Sequence, residues 1–397
     1  MNNTSNQPLR LALDGNEANI ANRVGSNVYG FKVLEALWKL TQDADRYDCT
    51  VLLASQPIDD LPAERPNWRY EVVTPRRFWT QWALPLHLFW FQRSYDVFYT
   101  PSHYAARVSA VPYVNTIHDV AYLKFPEQFS RNDLFQLKHW TAYSVKRAKK
   151  VIAVSQFSKQ QTHQVYGKSL AEIVVASPAI SLTKKYSPLR FGAFLRKQGI
   201  NKNRYFLYLG TLQPRKNLEK LVAAFEEFCR FHAANELQKK SDEGVTGPLP
   251  QLVLAGKVGW LARGLQDRIA NSPVKKQIIL TGFVDEGLKK PLYEHALATV
   301  LVGHHEGFGI PPLESLSVGT PAIVANEGSL PEVVGSSGLM VNPDDTHEIA
   351  EALREVWDWP TNKQQRAAKQ GKKQARKFSW QSTGRTILKT LEEVAAA

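Results

Sequence analysis

Short apolar runs alternate with longer amphipathic stretches along the whole chain. In the first half, Leu9–Asp14, Cys49–Ala54, Tyr70–Thr74, Val97–Thr100, Tyr113–His118, Val151–Ser155 and Ile173–Ser177 read as strands. Apolar positions at helical spacing mark helices at Asn27–Leu40, Arg131–Arg147 and Gln156–Tyr166. In the second half, Tyr205–Leu209, Leu252–Ala255, Ile278–Thr281, Thr299–Val302, Ala322–Ala325 and Leu339–Val341 read as strands. Runs that are apolar at successive positions suit strands covered on both faces, so the alternation predicts an α/β protein with parallel sheets between helices. Two such units are expected, residues 1–190 and 200–378, with the boundary between Ser187 and Asn203. A closing helix in 379–397, patterned over Trp380 to Val394, has no strand after it. Residues Glu236 to Pro250 are polar, contain Gly and Pro, lack periodicity and read as an exposed loop.

One apolar run does not fit a strand. Phe78 to Phe91 is broken by Gln81, Pro85 and His87, so it falls short of the roughly 20 apolar residues that span a bilayer. Trp82, Leu86, Phe89 and Trp90 are spaced as the buried face of a helix would be, and core packing is the expected use of most of them. Arg76 and Arg77 stand beside these aromatics, a combination that also suits an anionic membrane surface.

Length and composition fit two globular units: 397 residues, 43% of them hydrophobic. The 50 basic and 37 acidic side chains leave a net charge of +13, which favours anionic partners such as nucleotides, nucleic acids or membrane surfaces. Residues 1–190 carry 23 basic and 15 acidic side chains, so the larger excess lies in the first half. A nucleic-acid-binding protein would account for the charge, but no RNA- or DNA-binding motif is present, and no nucleic-acid partner is expected. The two cysteines, Cys49 and Cys229, form neither a disulfide framework nor a zinc spacing. With a polar start to the chain, the expected location is the cytoplasm, peripherally at the inner face of the membrane.

Three places carry candidate chemistry. Glu306 and Glu314 bracket Gly307-Phe308-Gly309-Ile310-Pro311-Pro312-Leu313, a strand-to-helix turn of the kind where open α/β sheets bind ligands. The prolines carry no N–H, so the amides of Phe308, Gly309 and Ile310 suit sugar hydroxyls better than phosphate. The bland alternative is two solvated glutamates. Gly210-Thr211-Leu212-Gln213-Pro214-Arg215-Lys216-Asn217 follows a buried strand and places two cations at a helix start, an anion site unless both are merely solvated. In the first half, Gly25 lies in the loop ahead of a helix, and His118-Asp119 ends a strand. Taken alone, these are a helix cap and a satisfied turn. Asp43-Ala44-Asp45 has the form of a metal motif but follows a helix pattern, so it reads as a solvated loop, and no metal site is expected.

The segment from Glu306 to Glu314 resembles the E-x7-E signature of retaining glycosyltransferases of family 4. Ser315 to Ile323, Gly328 to Val334 and Gly338 to Pro343 extend the resemblance, and Gly-Thr-Leu-x-Pro-Arg-Lys-Asn is similar to the subgroup containing O-antigen mannosyltransferases. The resemblance implies a GT-B fold, two Rossmann-like domains with parallel sheets facing across a cleft. The first would take the acceptor and the second the nucleotide sugar, with the closing helix packed back on the first. It implies transfer of a hexose, mannose being favoured, from a nucleotide diphosphate sugar to a glycan or lipid-linked acceptor in cell-surface polysaccharide synthesis, with retention of configuration. A GDP-linked donor is favoured over a UDP-linked one, and neither cofactor nor metal is required. Arg215 and Lys216 would support the departing diphosphate, Glu306 with Phe308, Gly309 and Ile310 would hold the sugar, and Glu314 the ribose. Gly25 would approach the diphosphate from the first domain, with His118 and Asp119 near the donor sugar. Thr211 departs from the pattern, since many members carry arginine there, and Arg215 is the candidate replacement. A catalytically silent sugar- or nucleotide-binding member of the fold is the alternative. A phosphorylase of similar fold would need a pyridoxal-phosphate lysine, for which no signature is present.

Overall fold

In a computed structural model, residues 7–182, 186–239, 249–257, 259 and 263–397 are described. The chain divides into two compact units, one running through Pro178 and resuming at Phe378–Ala397, the other Ala179–Lys377. The first holds β1 (Leu9–Asp14), β2 (Tyr47–Leu53), β3 (Trp68–Val72), β4 (Val97–Thr100), β5 (Tyr113–Ile117), β6 (Lys150–Ala153) and β7 (Ile173–Val175). All pairings are parallel, in the order β3-β2-β1-β4-β5-β6-β7. The second holds β8 (Tyr205–Leu209), β9 (Gln251–Ala255), β10 (Ile278–Gly282), β11 (Ala298–Leu301), β12 (Ala322–Ala325) and β13 (Leu339–Val341), again parallel, in the order β10-β9-β8-β11-β12-β13. β4, β5, β9, β11 and β12 are buried at every position, which explains their unbroken runs. In each sheet the strand order reverses beside the first strand, at β1/β4 and at β8/β11. Doubly wound sheets open a ligand crevice at such a reversal, beyond the carboxyl ends of the strands.

The helix Pro188–Gln198 belongs to the second unit, where Phe191 and Leu195 pack with Tyr205 and Leu207 of β8. The closing helix, Trp380–Ala395, belongs to the first and packs on Ser26–Leu40. Gly384 makes that approach: a Cβ there would stand 2.7 Å from Cβ of Ala36. Thr383 Oγ1 donates to the Ser177 carbonyl at 2.5 Å and Tyr47 to Glu392 at 2.6 Å, so polar contacts fix both ends of a seam filled by Ile387 and Leu391.

Two expectations need correction. The helix Leu218–Lys239 reaches into the stretch read as a loop from Glu236, while 240–248 lie outside the described residues. The expected burial of Trp82, Leu86, Phe89 and Trp90 is not met. A π-helical turn, Trp79–Ala83, runs into the helix Leu84–Trp90, and the side chains that enter the core are Trp79, Ala83, Leu84 and Leu88. Trp82, Leu86, Phe89 and Trp90 face solvent. The segment is apolar on both sides, so periodicity identifies two stripes without telling which one is inside.

Candidate active site

In the second unit, the turn after β8 and the loop after β11 meet at the strand-order reversal. Pro214–Lys216 form a 3-10 turn, closed by hydrogen bonds from Lys216 N to the Gln213 carbonyl and from Asn217 N to that of Pro214. Those two amides are therefore used inside the turn, which leaves the charges of Arg215 and Lys216 as its chemistry. Asn217 takes a left-handed conformation (φ 58°), which asparagine tolerates better than most residues. Its Nδ2 clamps the carbonyls of Val302 at 3.1 Å and Pro343 at 2.7 Å, fixing the turn to both loops.

Lys216 is ion-paired with Glu306, and the Arg215 guanidinium stands 4.0 Å from the same carboxylate while donating to the His305 carbonyl at 3.1 Å. Two cations around one carboxylate leave a positive centre at the carboxyl ends of β8 and β11. The close approach depends on Gly303, where a Cβ would stand 3.0 Å from the Arg215 carbonyl oxygen. Glu306 is 8% exposed, and its own carbonyl accepts from Ser329 Oγ at 2.8 Å. Gly328 packs on the same backbone, where a Cβ would be 3.1 Å from that oxygen.

The helix Ile310–Val318 begins at Gly309 (φ 95°), where a side chain would also strike Leu330. Phe308 is buried and Ile310 half-buried. Glu314, one turn into this helix, is 4% exposed and accepts from the Tyr293 hydroxyl at 2.8 Å. Burial pushes its carboxyl up to about 7, against the opposing pull of Lys289 and Tyr293. Thr211 is exposed, and its carbonyl accepts from the buried Tyr208 hydroxyl.

Gly25, His118 and Asp119 lie in the first unit. Gly25 (φ 55°) precedes the helix Ser26–Leu40, whose Ser26 and Asn27 side chains donate to Glu17. His118 follows β5; its Nε2 donates to the Pro101 carbonyl at 2.9 Å, which fixes the proton on that nitrogen. Its backbone N–H donates to His103 Nε2 at 3.0 Å, and the two rings stack with centroids 5.5 Å apart. Burial lowers the pKa of both histidines, that of His103 to about 4, so the pair is neutral at physiological pH. Asp119 Oδ1 accepts from Ala121 N, closing the turn into a short helix. At the β1/β4 reversal, Asp14 accepts from Thr100 Oγ1 at 2.8 Å and from both nitrogens of Asn16, and burial raises its carboxyl to about 6.

The structure thus brings Arg215, Lys216 and Glu306 together and sets Phe308, Gly309, Ile310 and Glu314 along the adjoining helix start. The pattern missed Asp14, His103 and Tyr293. Asp14 and His103 could have been found from their positions: Asp14 ends β1 and His103 follows β4, both at the reversal. Among the described residues no group of three or more His, Cys, Asp or Glu is placed to hold a metal.

Two families match the chain: Glycosyltransferase Family 4 over residues 38–184 and Glycosyl transferases group 1 over residues 192–374. O-antigen chain mannosyltransferase B of Escherichia coli is 29% identical over 326 residues, 80% of this chain and 78% of that protein. O-antigen chain mannosyltransferase RfbU of Salmonella typhimurium is 27% identical over 245 residues, 62% of this chain and 61% of that protein. Among solved structures, Anabaena Alr3699/HepE in complex with UDP and glucose superposes with a TM-score of 0.68 at 19% identity, over 97% of this chain and all of that one. WaaG, a glycosyltransferase involved in lipopolysaccharide biosynthesis, superposes with a TM-score of 0.65 at 14% identity, over 98% of this chain and all of that one. With both of its units matched in sequence and its two parallel sheets matched in fold, the chain belongs to glycosyltransferase family 4 and has the GT-B fold.

Proposed function

We propose that the protein is a retaining mannosyltransferase that moves mannose from a GDP-linked donor to a glycan or lipid-linked acceptor in cell-surface polysaccharide synthesis. It would work in the cytoplasm at the inner face of the membrane. The observation that carries this reading is the convergence of Lys216 and Arg215 on Glu306 at the β8/β11 reversal. A nucleoside diphosphate needs positive charge where its leaving oxygen develops, and these two side chains supply it without a metal. Arg215 stands in for the arginine that many relatives carry at the position of Thr211. The names of the E. coli and Salmonella relatives support mannose as the sugar.

The acceptor hydroxyl oxygen attacks the anomeric carbon on the face from which the diphosphate departs. The bond from anomeric carbon to phosphate oxygen breaks, its electron pair goes to the diphosphate, and the diphosphate takes the hydroxyl proton. Glu306 and the amides of Phe308, Gly309 and Ile310 hold the sugar hydroxyls, and Glu314 holds the ribose diol. His118, Asp119 and Gly25 serve the donor from the first unit, with His118 neutral and its Nε2–H engaged by Pro101. Catalysis is then placement plus charge compensation.

Screening nucleotide sugars for donor hydrolysis and transfer, with the anomeric configuration of the product read by NMR, tests the reading. GDP-mannose is expected to be consumed fastest, with configuration retained. Binding of donor with no product under any acceptor would replace it with a silent sugar-nucleotide-binding role.

A further inference from the structure

The solvent face of the segment Arg76–Arg93 is unusual for a soluble domain. Phe78, Trp82, Leu86, Phe89, Trp90 and Phe91 are all exposed, Trp82 at 62% and Trp90 at 75%. Single exposed apolar side chains are ordinary, whereas a contiguous ridge of six marks an interaction site. The ridge is held firmly from behind: Trp79, Ala83, Leu84 and Leu88 are built into the first unit's core, and Trp79 Nε1 donates to the Val73 carbonyl.

Charge identifies what the ridge meets. Residues 72–95 contain three arginines, Arg76, Arg77 and Arg93, all exposed, and no acidic side chain. Of the flanking acids, Asp96 is ion-paired with Arg10, and Glu71 lies beside His87 as a partly exposed carboxylate at the edge of this segment. Two side contacts extend the basic rim. Thr80 accepts from Arg107 N, and Gln81 donates to Tyr143 on the helix Arg131–Arg147, whose last turn carries exposed Lys146 and Arg147. A second copy of this face would bring like charges together. Tryptophan and phenylalanine framed by arginine are the side chains that settle at the boundary between acyl chains and anionic headgroups.

We propose that this ridge is a docking face for an anionic lipid bilayer, with the aromatics entering the interface and the arginines meeting the headgroups. No helix among the described residues is long and apolar enough to cross a membrane, so the attachment is interfacial. The inference rests on the lipid-linked acceptor reading for its purpose only. The loop that bonds to Thr80 through Arg107 also carries His103, which receives the His118 amide. Docking therefore orients the loop beside the first unit's strand-order reversal.

Vesicle flotation of the full chain tests it, with phosphatidylcholine alone and with added phosphatidylglycerol, at low and high salt. The wild type is expected to float with anionic vesicles, less with neutral ones, and less at high salt. Trp82→Ser/Phe89→Ser/Trp90→Ser should lower partitioning at least about tenfold, and Arg76→Ala/Arg77→Ala about fivefold per arginine at low salt. Leu189→Ser, which removes an 87% exposed leucine in the second unit, should change nothing. Quenching of wild-type tryptophan emission by brominated lipid gives a readout that needs no variant. Absence of both flotation and quenching overturns the proposal, as does a triple variant that melts normally and floats like the wild type. A wild-type dimer that the triple variant dissociates, without flotation, would reassign the ridge to self-association and overturn it equally. GDP calorimetry separates this from the transferase reading. Ridge variants should keep GDP affinity, and Lys216→Ala should lose it while floating normally.

Discussion

The two sheets share one strand order around their first strand, yet their reversals are furnished in opposite ways. At β1/β4 the central group is an anion: Asp14, buried, satisfied by Thr100 and Asn16, with the neutral pair His103 and His118 nearby on the following loops. At β8/β11 the balance is cationic, Lys216 and Arg215 around Glu306. The same backbone crevice therefore offers hydrogen bonds without positive charge in one unit and net positive charge in the other. The first suits hydroxyl-rich neutral ligands, and the second suits a diphosphate. What distinguishes the units is the side chains at the carboxyl ends of the strands around each reversal, and not the sheets themselves.

The largest break in that comparison should come from Lys216→Ala. Loss of one charge-assisted contact in a water-poor site lowers turnover about 10²–10³-fold. Affinity for GDP should fall by about 1.5–3 kcal/mol, while guanosine binding is unchanged. The mirrored change Asp14→Asn should leave GDP binding intact, because the cationic site is furnished wholly by the second unit. Calorimetry with GDP and guanosine checks both. Lys216→Ala also strands Glu306 beside Arg215 alone, so the double variant Lys216→Ala/Glu306→Gln separates the lost phosphate contact from the stranded carboxylate. Equal losses for guanosine and GDP would contradict the phosphate assignment.

Glu306→Gln should sharpen the contrast with a split of sign. In the free protein the carboxylate competes with any incoming anion for Lys216. Glutamine removes that competition, so GDP should bind more tightly, whereas transfer should fall about 10- to 100-fold through the lost sugar contact. Weaker GDP binding together with weaker transfer would show that Glu306 positions Lys216 rather than the sugar.

Much of this was legible in the pattern, and the illegible parts share a cause. Buried strands announce themselves, so all thirteen strands among the described residues lie where the apolar runs put them, with ends shifted by a residue or two. Gly309, which both its left-handed backbone and the close approach of Leu330 require, sits inside the quoted motif. Contacts between different segments leave no local mark, which is why Tyr293 beneath Glu314 was not foreseen. The Phe78–Phe91 run misled because periodicity reports an apolar stripe and not its orientation, and here both stripes are apolar.

A smaller effect concerns Glu314. Its folded carboxyl sits at about 7, above the ordinary value of 4.5, so between these values the folded state holds more protons than the unfolded one. The contribution is stabilising at low pH and is lost as pH rises through about 7, by roughly 3 kcal/mol in all. Donor binding should move the other way, improving about tenfold as Glu314 ionises and accepts the ribose hydroxyls. Glu314→Gln should flatten both slopes. Urea melts and GDP titrations across this range check the pair, and a variant that keeps the wild-type binding slope would remove Glu314 from the ribose.

The smallest expected effect is none, and it tests whether cationic side chains replace a metal. Asp43 and Asp45 have the spacing of a metal motif, but Asp43 Oδ1 accepts from Asp45 N, and the Asp43 carbonyl accepts from Arg46 and Tyr47. These bonds form a turn leading into β2. In a parallel sheet the residues before a strand lie at its amino edge, whereas Asp14 ends a strand and His118, Lys216 and Glu306 follow strands, all at the carboxyl edge. Asp43→Asn/Asp45→Asn should therefore change transfer less than about twofold and stability by about 0.5 kcal/mol or less. Transfer should likewise persist in EDTA, because Lys216 and Arg215 already meet the charge that a divalent ion would otherwise neutralise. Activity abolished by chelation and restored by magnesium or manganese would mean that the cationic crevice is insufficient by itself. Loss of that rescue in the Asp43/Asp45 variant would then place the ion at the turn before β2.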